Sequence, residues 1–165
     1  MAAPRWCWWL SGSVIVFDQL TKFLAEGLLE MHQPVPVLPS FNLMLTYNPG
    51  AAFSFLASAG GWQRWFFLGL GAAVSLGLIV WLVRLRPEEK RLALALALIL
   101  GGAIGNLIDR AWLGQVIDFI QLYYDRWYWP AFNIADSAIT IGATLLVLDS
   151  LLGERRQTSD PETRS

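Results

Sequence analysis

The sequence predicts an all-α integral membrane protein built on four transmembrane helices. Hydrophobic residues make up 55% of the 165-residue chain and charged residues 15%, against about 45–50% and about 25% in soluble domains. The mean hydropathy is +0.45. Two stretches, Trp65–Val83 (19 residues) and Leu92–Ile108 (17 residues), carry no charge, and crossing a bilayer takes about 20 mostly apolar residues, with a range of about 17–25. Two further apolar stretches, Trp6–Leu29 and Phe132–Leu152, are interrupted only by Asp18, Lys22 and Glu26 in the first and by Asp136 and Asp149 in the second. The length is that of one domain.

The four spans are placed at about residues 6–27, 63–83, 92–109 and 133–152 of a single membrane-embedded domain, 1–165. The outer segments are 28–62 and 110–132, and the polar tail 153–165 is expected to be disordered. Orientation follows from the basic residues of the short connections. Arg84, Arg86, Lys90 and Arg91 crowd the turn between the second and third spans, whereas Met31–Gly61 holds no Lys or Arg. Both termini therefore face the cytoplasm, and any chemistry on the longer segments lies outside. Arg5 before an apolar run resembles a signal peptide, but no small-x-small cleavage site follows, so the first span is expected to stay.

The outer segments differ in character. Phe41, Leu43, Leu45 and Tyr47 alternate with Asn42, Met44 and Thr46, a period of two that predicts a strand. Pro34, Pro36 and Pro39 upstream make it an edge strand or short ribbon. From Trp112 to Trp129 the chain carries seven Trp, Tyr and Phe residues, a density that belongs at headgroup level.

Composition excludes several functions. A net charge of −1 gives no electrostatic footprint for nucleic acid. One Cys and one His leave no thiolate cluster and no HExxH site, so no metal and no cofactor are expected. His32 lies in a proline-rich outer segment, a poor place for a Ser–His pair, and Gly-x-Ser-Gly and Gly-x-Gly-Asp motifs are both absent.

Ionisable groups in a membrane are expensive, so each needs a reason. Asp18 and Lys22 stand four apart, on one helix face and in the acid-first order that favours pairing. They form a structural charge pair or lie near a reaction centre. Asn106, Asp109 and Arg110 end the third span beside Gly101, Gly102 and Gly105, where close packing and function are both open. Asp118 sits in an apolar neighbourhood with no basic residue within five positions, and Asp136 lies just after Asn133 at the same outer depth. At about 4 Å and an effective dielectric of about 20, two such carboxylates repel by roughly 4 kcal/mol, about three pK units. They then share one proton and titrate as a unit, which is what an aspartic protease requires. A helix start near Asp136 favours it as the ionised member. On the residues alone, a proteolytic dyad, a proton relay in a small transporter and a pair of structural acids all remain open.

The polar islands together resemble the bacterial signal peptidase II family. They are Asp18-Gln19-Leu20-Thr21-Lys22, Tyr47-Asn48-Pro49-Gly50-Ala51-Ala52-Phe53-Ser54, Gly105-Asn106-Leu107-Ile108-Asp109-Arg110, Val116-Ile117-Asp118-Phe119 and Phe132-Asn133-Ile134-Ala135-Asp136. All five stand in the family's order. The resemblance implies four membrane helices with a small extracytoplasmic β-cradle and a short interfacial helix, the period-two run and the aromatic segment sitting where these belong. It implies an aspartic endopeptidase of the bacterial inner membrane that cuts diacylglyceryl-modified prolipoproteins before the lipidated cysteine. Asp118 and Asp136 are then the catalytic dyad. Asn48, Asn106, Asp109, Arg110 and Asn133 fall on the family's other polar positions, and Asp18 and Lys22 support fold and site. The implied partners are the prolipoprotein and membrane lipid, with no nucleic acid, and the enzyme is expected to be a monomer. The loop Tyr47–Ser54 is suited to closing over substrate, and the segment around Trp112–Tyr124 is expected to move as a lid.

The rival from another class, a small proton-coupled transporter using Asp18, Asp109 and Asp136, calls for acids stepping through the bilayer and an internal repeat. Neither is found.

Overall fold

A computed structural model of the protein describes residues 4–50 and 62–158, with side-chain surroundings through residue 151. Among the described residues four helices form: α1 (Arg5–Leu28), α2 (Trp62–Arg84), α3 (Lys90–Trp112) and α4 (Ile134–Thr158). Four strands accompany them: β1 (Val35–Leu38), β2 (Phe41–Asn48), β3 (Val116–Tyr124) and β4 (Trp127–Tyr128). Among the described residues three helical stretches are long and apolar enough to cross a membrane, namely α2, α3 and Ile134–Leu151 of α4. At 23 residues, α2 and α3 are each about 35 Å long at about 1.5 Å per residue, enough for a hydrocarbon core of about 30 Å.

Helix α1 is less apolar because its polar residues point inward. Cys7, Ser11, Asp18, Lys22 and Ala25 are buried, at spacings of three, four and seven that make one helical face. Val16, Phe17, Leu20, Phe23 and Leu28 are exposed. A polar inner face with an apolar outer face is the reverse of a water-soluble amphipathic helix.

Helix α3 is the centre of the bundle and packs against the other three helices. Its buried face runs through Ala93, Ala95, Ala97, Gly101, Gly102 and Gly105, small residues that let backbones approach. A side chain on Gly102 would strike the carbonyl of Ala135 in α4, and one on Gly105 would strike the Asp18 carboxylate. The interior divides along the bundle axis. Cys7, Leu78, Leu82, Leu85, Leu96 and Leu100 form an apolar core toward the α2–α3 turn, while buried polar groups gather at the sheet end.

The sheet is antiparallel, in the order β1-β2-β3-β4. The period-two run is β2, but it lies between β1 and β3, and the proline-bearing edge is β1, with Pro36 inside it. A register shift between Leu43 and Thr46 breaks the alternation, so Asn42 and Leu45 are the buried residues of β2. The aromatic segment departs further from expectation. Instead of a short interfacial helix it supplies β3 and β4, and among the described residues no short interfacial helix occurs. Two local causes act. Gly114, at φ 78°, follows the end of α3 in the left-handed region that glycine favours. The sequence Val-Ile-Asp-Phe-Ile beyond it is rich in β-branched and aromatic strand formers. The expected lid is thus a strand with β2 on one side and β4 on the other.

Residues 153–158 of the expected tail continue α4; 159–165 lie outside the described residues, as do Ala51–Ser54 of the expected closing loop.

Candidate active site

Asp118 projects from β3, and Asp136 stands in the first turn of α4. Asp118 is 1% exposed, and both its oxygens are engaged. Oδ2 accepts from Asn48 Nδ2 at 3.1 Å, and Oδ1 accepts from Asn133 Nδ2 at 2.7 Å. The register explains the first contact: Asn48 faces Val116 across the β2–β3 pair, so Asp118 is its diagonal neighbour two residues on, on the same face. The Asn48 amide is oriented from its other end, where Oδ1 accepts the Gly50 N–H at 2.9 Å. Gly50 holds this turn at φ 95°, and Phe67 fills the space a side chain would need.

Asn133 immediately precedes α4 and acts as its cap. Its Oδ1 accepts the backbone N–H of Asp136 at 2.9 Å, satisfying a donor that the helix leaves free at its start. Its Nδ2, besides holding Asp118, reaches the Ile117 carbonyl at 3.1 Å and Asn106 Oδ1 at 3.2 Å. Asn106, on α3, in turn donates from Nδ2 to Asp136 Oδ1 at 2.7 Å. Asp136 is half-buried.

Beneath this layer Lys22 Nζ lies 2.7 Å from Asp18 Oδ2, 2.8 Å from Asp109 Oδ2 and 3.1 Å from Asn106 Oδ1. All three ionic side chains are buried. Each acid also holds a backbone N–H just ahead of one of the two aspartates. Asp109 Oδ2 accepts from Ile117 N at 3.1 Å and Asp18 Oδ1 from Ala135 N at 2.8 Å. Gln19 Nε2 ties the two acids together, reaching Asp109 Oδ1 at 2.8 Å and Asp18 Oδ2 at 3.3 Å.

Burial, followed by the nearby charge of Asp136, pushes the Asp118 carboxyl up to about 7; the Asn48 and Asn133 amides and the Lys22 charge pull the other way. Loss of water outweighs the hydrogen bonds, so Asp118 holds a proton far more readily than a free carboxylate. Arg110 lies within the field of Asp136, Asp109 and Asp118. Its Nη1 reaches the Asn106 carbonyl at 3.4 Å, and its guanidinium stands 5.6 Å from the Phe67 ring centre. Its buried Nε has no hydrogen-bond partner.

A cavity of about 580 Å³ opens beside the pair, with Asn48 and Asp136 at its polar end and Leu122, Trp129, Phe132 and Ile141 among its walls. A mostly apolar cleft with a few converging polar groups has the form of a binding site.

A family model described as signal peptidase (SPase) II matches residues 10–152. The chain belongs to the signal peptidase II family. Among curated relatives, the lipoprotein signal peptidase of Pseudomonas fluorescens (strain Pf0-1) is 59% identical over 143 residues, covering 86% of this chain and 84% of the relative. That of Teredinibacter turnerae is 54% identical over 155 residues, covering 94% and 92%. Two solved structures, each described as a bacterial membrane enzyme, share the fold. One has a TM-score of 0.81 at 28% identity, covering 100% of this chain and 98% of that one. The other has a TM-score of 0.79 at 29% identity, covering 91% and 96%.

Within this signal peptidase II chain, all nine residues singled out in the sequence meet in one connected cluster. The Asp18–Lys22 pair extends to a third member, Asp109, which the i to i+4 spacing could not reveal. Gln19 was missed, although a polar side chain between two charged ones in an apolar stretch was the available signal. Ser137 and Thr140 were missed as cavity residues; Thr140 stands four positions after Asp136, on the same helical face.

Proposed function

We propose that this protein is an aspartic endopeptidase that removes the signal peptide from diacylglyceryl-modified prolipoproteins, cutting before the lipidated cysteine. Family membership supplies the reaction class. The observation that carries the assignment of residues is the Asn133 bridge between buried Asp118 and Asp136, the second of which lines a mostly apolar cavity.

In this reading Asp136, half-exposed on the cavity, takes a proton from a bound water. The hydroxide so formed attacks the scissile carbonyl, while protonated Asp118 donates a hydrogen bond to the carbonyl oxygen. Collapse of the tetrahedral intermediate breaks the C–N bond, the amine leaves with a proton, and the pair again holds one proton. Asn106 and Asn133 keep the two carboxyls apart and aimed, and the unpartnered Nε of Arg110 is a donor available to a substrate carbonyl. Asp18, Lys22 and Asp109 hold the backbone beneath.

The membrane reading is consistent with this. The inside-out face of α1 makes it a fourth span beside α2, α3 and α4. The basic turn at residues 84–91 and both chain ends lie on the cytoplasmic side, and the sheet and aspartates at the outer surface of the bacterial inner membrane. A membrane-anchored substrate then reaches the cavity laterally as a monomeric enzyme's partner, without cofactor. Acyl chains gain about 0.8 kcal/mol per buried methylene on apolar walls.

The test uses purified protein in detergent with a diacylglyceryl-modified prolipoprotein and its unmodified counterpart. Mass spectrometry should find cleavage before the lipidated cysteine by the wild type, and none by Asp118→Asn or Asp136→Asn. Near wild-type cleavage by either variant would move the chemistry elsewhere. A folded wild type that cleaves nothing would return the transporter reading.

A further inference from the structure

The polar groups lining the cavity are nearly all committed. Asn48 is engaged at both ends of its amide, Asp136 accepts from Asn106, and Ser137 Oγ donates to the Asn133 carbonyl at 3.0 Å. Thr140 differs. Helical hydroxyls commonly bond the carbonyl four residues back, and Thr144 and Thr21 do so at 2.8 and 2.9 Å. Among the described residues the hydroxyl of Thr140, an exposed residue on the cavity wall, has no partner, although Asp136 offers it the same carbonyl.

We propose that the Thr140 hydroxyl donates a hydrogen bond to an ester carbonyl of the substrate's diacylglyceryl group, and so favours ester-linked over ether-linked lipid. The proposal rests on the peptidase reading. Thr140 lies one helical turn beyond Asp136, about 6 Å along the axis at about 1.5 Å per residue, toward the apolar end of the bundle. A lipid carried on the residue after the scissile bond extends in that direction. Its two ester groups are the polar atoms between peptide and acyl chains. Between Leu122, Phe132 and Ile141 an ester carbonyl loses its water, and a buried acceptor without a donor is costly. Thr140 supplies that donor one helical turn beyond Asp136; the other donors on the wall are the engaged Asn48 and Ser137 and the indole N–H of Trp129, at the sheet end.

The test compares two synthetic lipopeptides of one sequence, one diacylglyceryl (ester) and one dialkylglyceryl (ether), with wild type, Thr140→Val and Thr140→Ser. Valine has threonine's shape, so folding is preserved. A single net hydrogen bond corresponds to about a 3- to 10-fold effect. Wild type should favour the ester by that factor in kcat/KM, mainly through KM. Thr140→Val should lose the factor on the ester and leave the ether unchanged, and Thr140→Ser should restore it. An equal effect on both substrates, or none on either, overturns the proposal. A wild type that cleaves neither overturns the peptidase reading itself, an outcome that no Thr140 result imitates.

Discussion

One side-chain amide joins the two candidate catalytic aspartates: Asn133 donates from Nδ2 to Asp118 Oδ1 at 2.7 Å and accepts the Asp136 backbone N–H on Oδ1 at 2.9 Å. The two ends do opposite work, so the residue must have a donor and an acceptor at fixed positions. Asn133→Asp keeps the shape and the helix cap, since Asp caps as well as Asn. It replaces the donor facing Asp118 with an acceptor and adds a carboxylate to a buried site. Lipopeptide cleavage should fall at least about 100-fold, the scale of losing one preorganised donor, with the helical circular dichroism retained. Activity above a tenth of wild type would contradict the bridging role.

The pH dependence follows from Asp118. Its carboxyl is raised to about 7, and the proposed mechanism needs it protonated, so kcat/KM should decline as pH rises through about 7. The Asn48 hydrogen bond favours the ionised form, so its removal raises the pKa further. Asn48→Ala should therefore lower the rate but move the alkaline limb to higher pH. A limb that stays in place, or moves to lower pH, would disconnect Asn48 from the titrating group. Stability carries the same sign. A folded-state pKa above the unfolded value of about 3.9 makes the native protein bind the proton more tightly. Asp118's contribution to stability is therefore fully present below about 4 and is lost as pH rises through about 7.

Much of the helical frame was legible in the sequence because apolar helices are local objects. The uncharged runs of α2 and α3 declare themselves, and the apolar runs of α1 and α4 survive their few acids. Strand β2 was legible from its alternation, whereas β3 was not. Its aromatic density pointed to the headgroup region, and its partner lies some 70 residues upstream, where no local pattern reports the pairing. The site was legible as a set of residues and not as a wiring diagram. Lys22 meets Asp109 across 87 positions, and the hold of Asp18 on the Ala135 N–H spans 117. Only the three-dimensional packing of α1 and α4 on α3 creates those contacts. The role of Asn133 as a cap did have a signature, in an asparagine placed just before an apolar run.

Lys22 is the one cation between Asp18 and Asp109 among the described ion pairs, and all three side chains are buried. Lys22→Met keeps the aliphatic stem and leaves two acids without compensation. Breaking a buried pair from one side costs about 3–5 kcal/mol, so a large fall in Tm in detergent is expected at neutral pH. A Tm within about 2 °C of wild type at pH 7 would mean that water or another cation replaces the ammonium.

Gly102 tests whether α4 is placed by contact with α3 at the level of the aspartates. A methyl group there collides with the Ala135 carbonyl and the Ile139 side chain. Ala135 is the residue whose N–H Asp18 holds, and Asp136 follows it. The helix start must therefore move, or Asp18 must release it. Overpacking of this kind costs about 1–3 kcal/mol. The displacement also carries Asp136 away from Asn106 Nδ2 and Asn133 Oδ1, so cleavage should fall more than stability alone explains. Gly69, on α2, has open space where a side chain would go, and Gly69→Ala serves as the matched control. Helix propensity favours Ala at both positions by about 1 kcal/mol. Measured together by thermal unfolding and lipopeptide cleavage, Gly102→Ala should lose both stability and activity while Gly69→Ala keeps both. Equal behaviour of the two variants would show that α3 and α4 have slack at this contact, and that Asp136 is held by its side-chain hydrogen bonds alone.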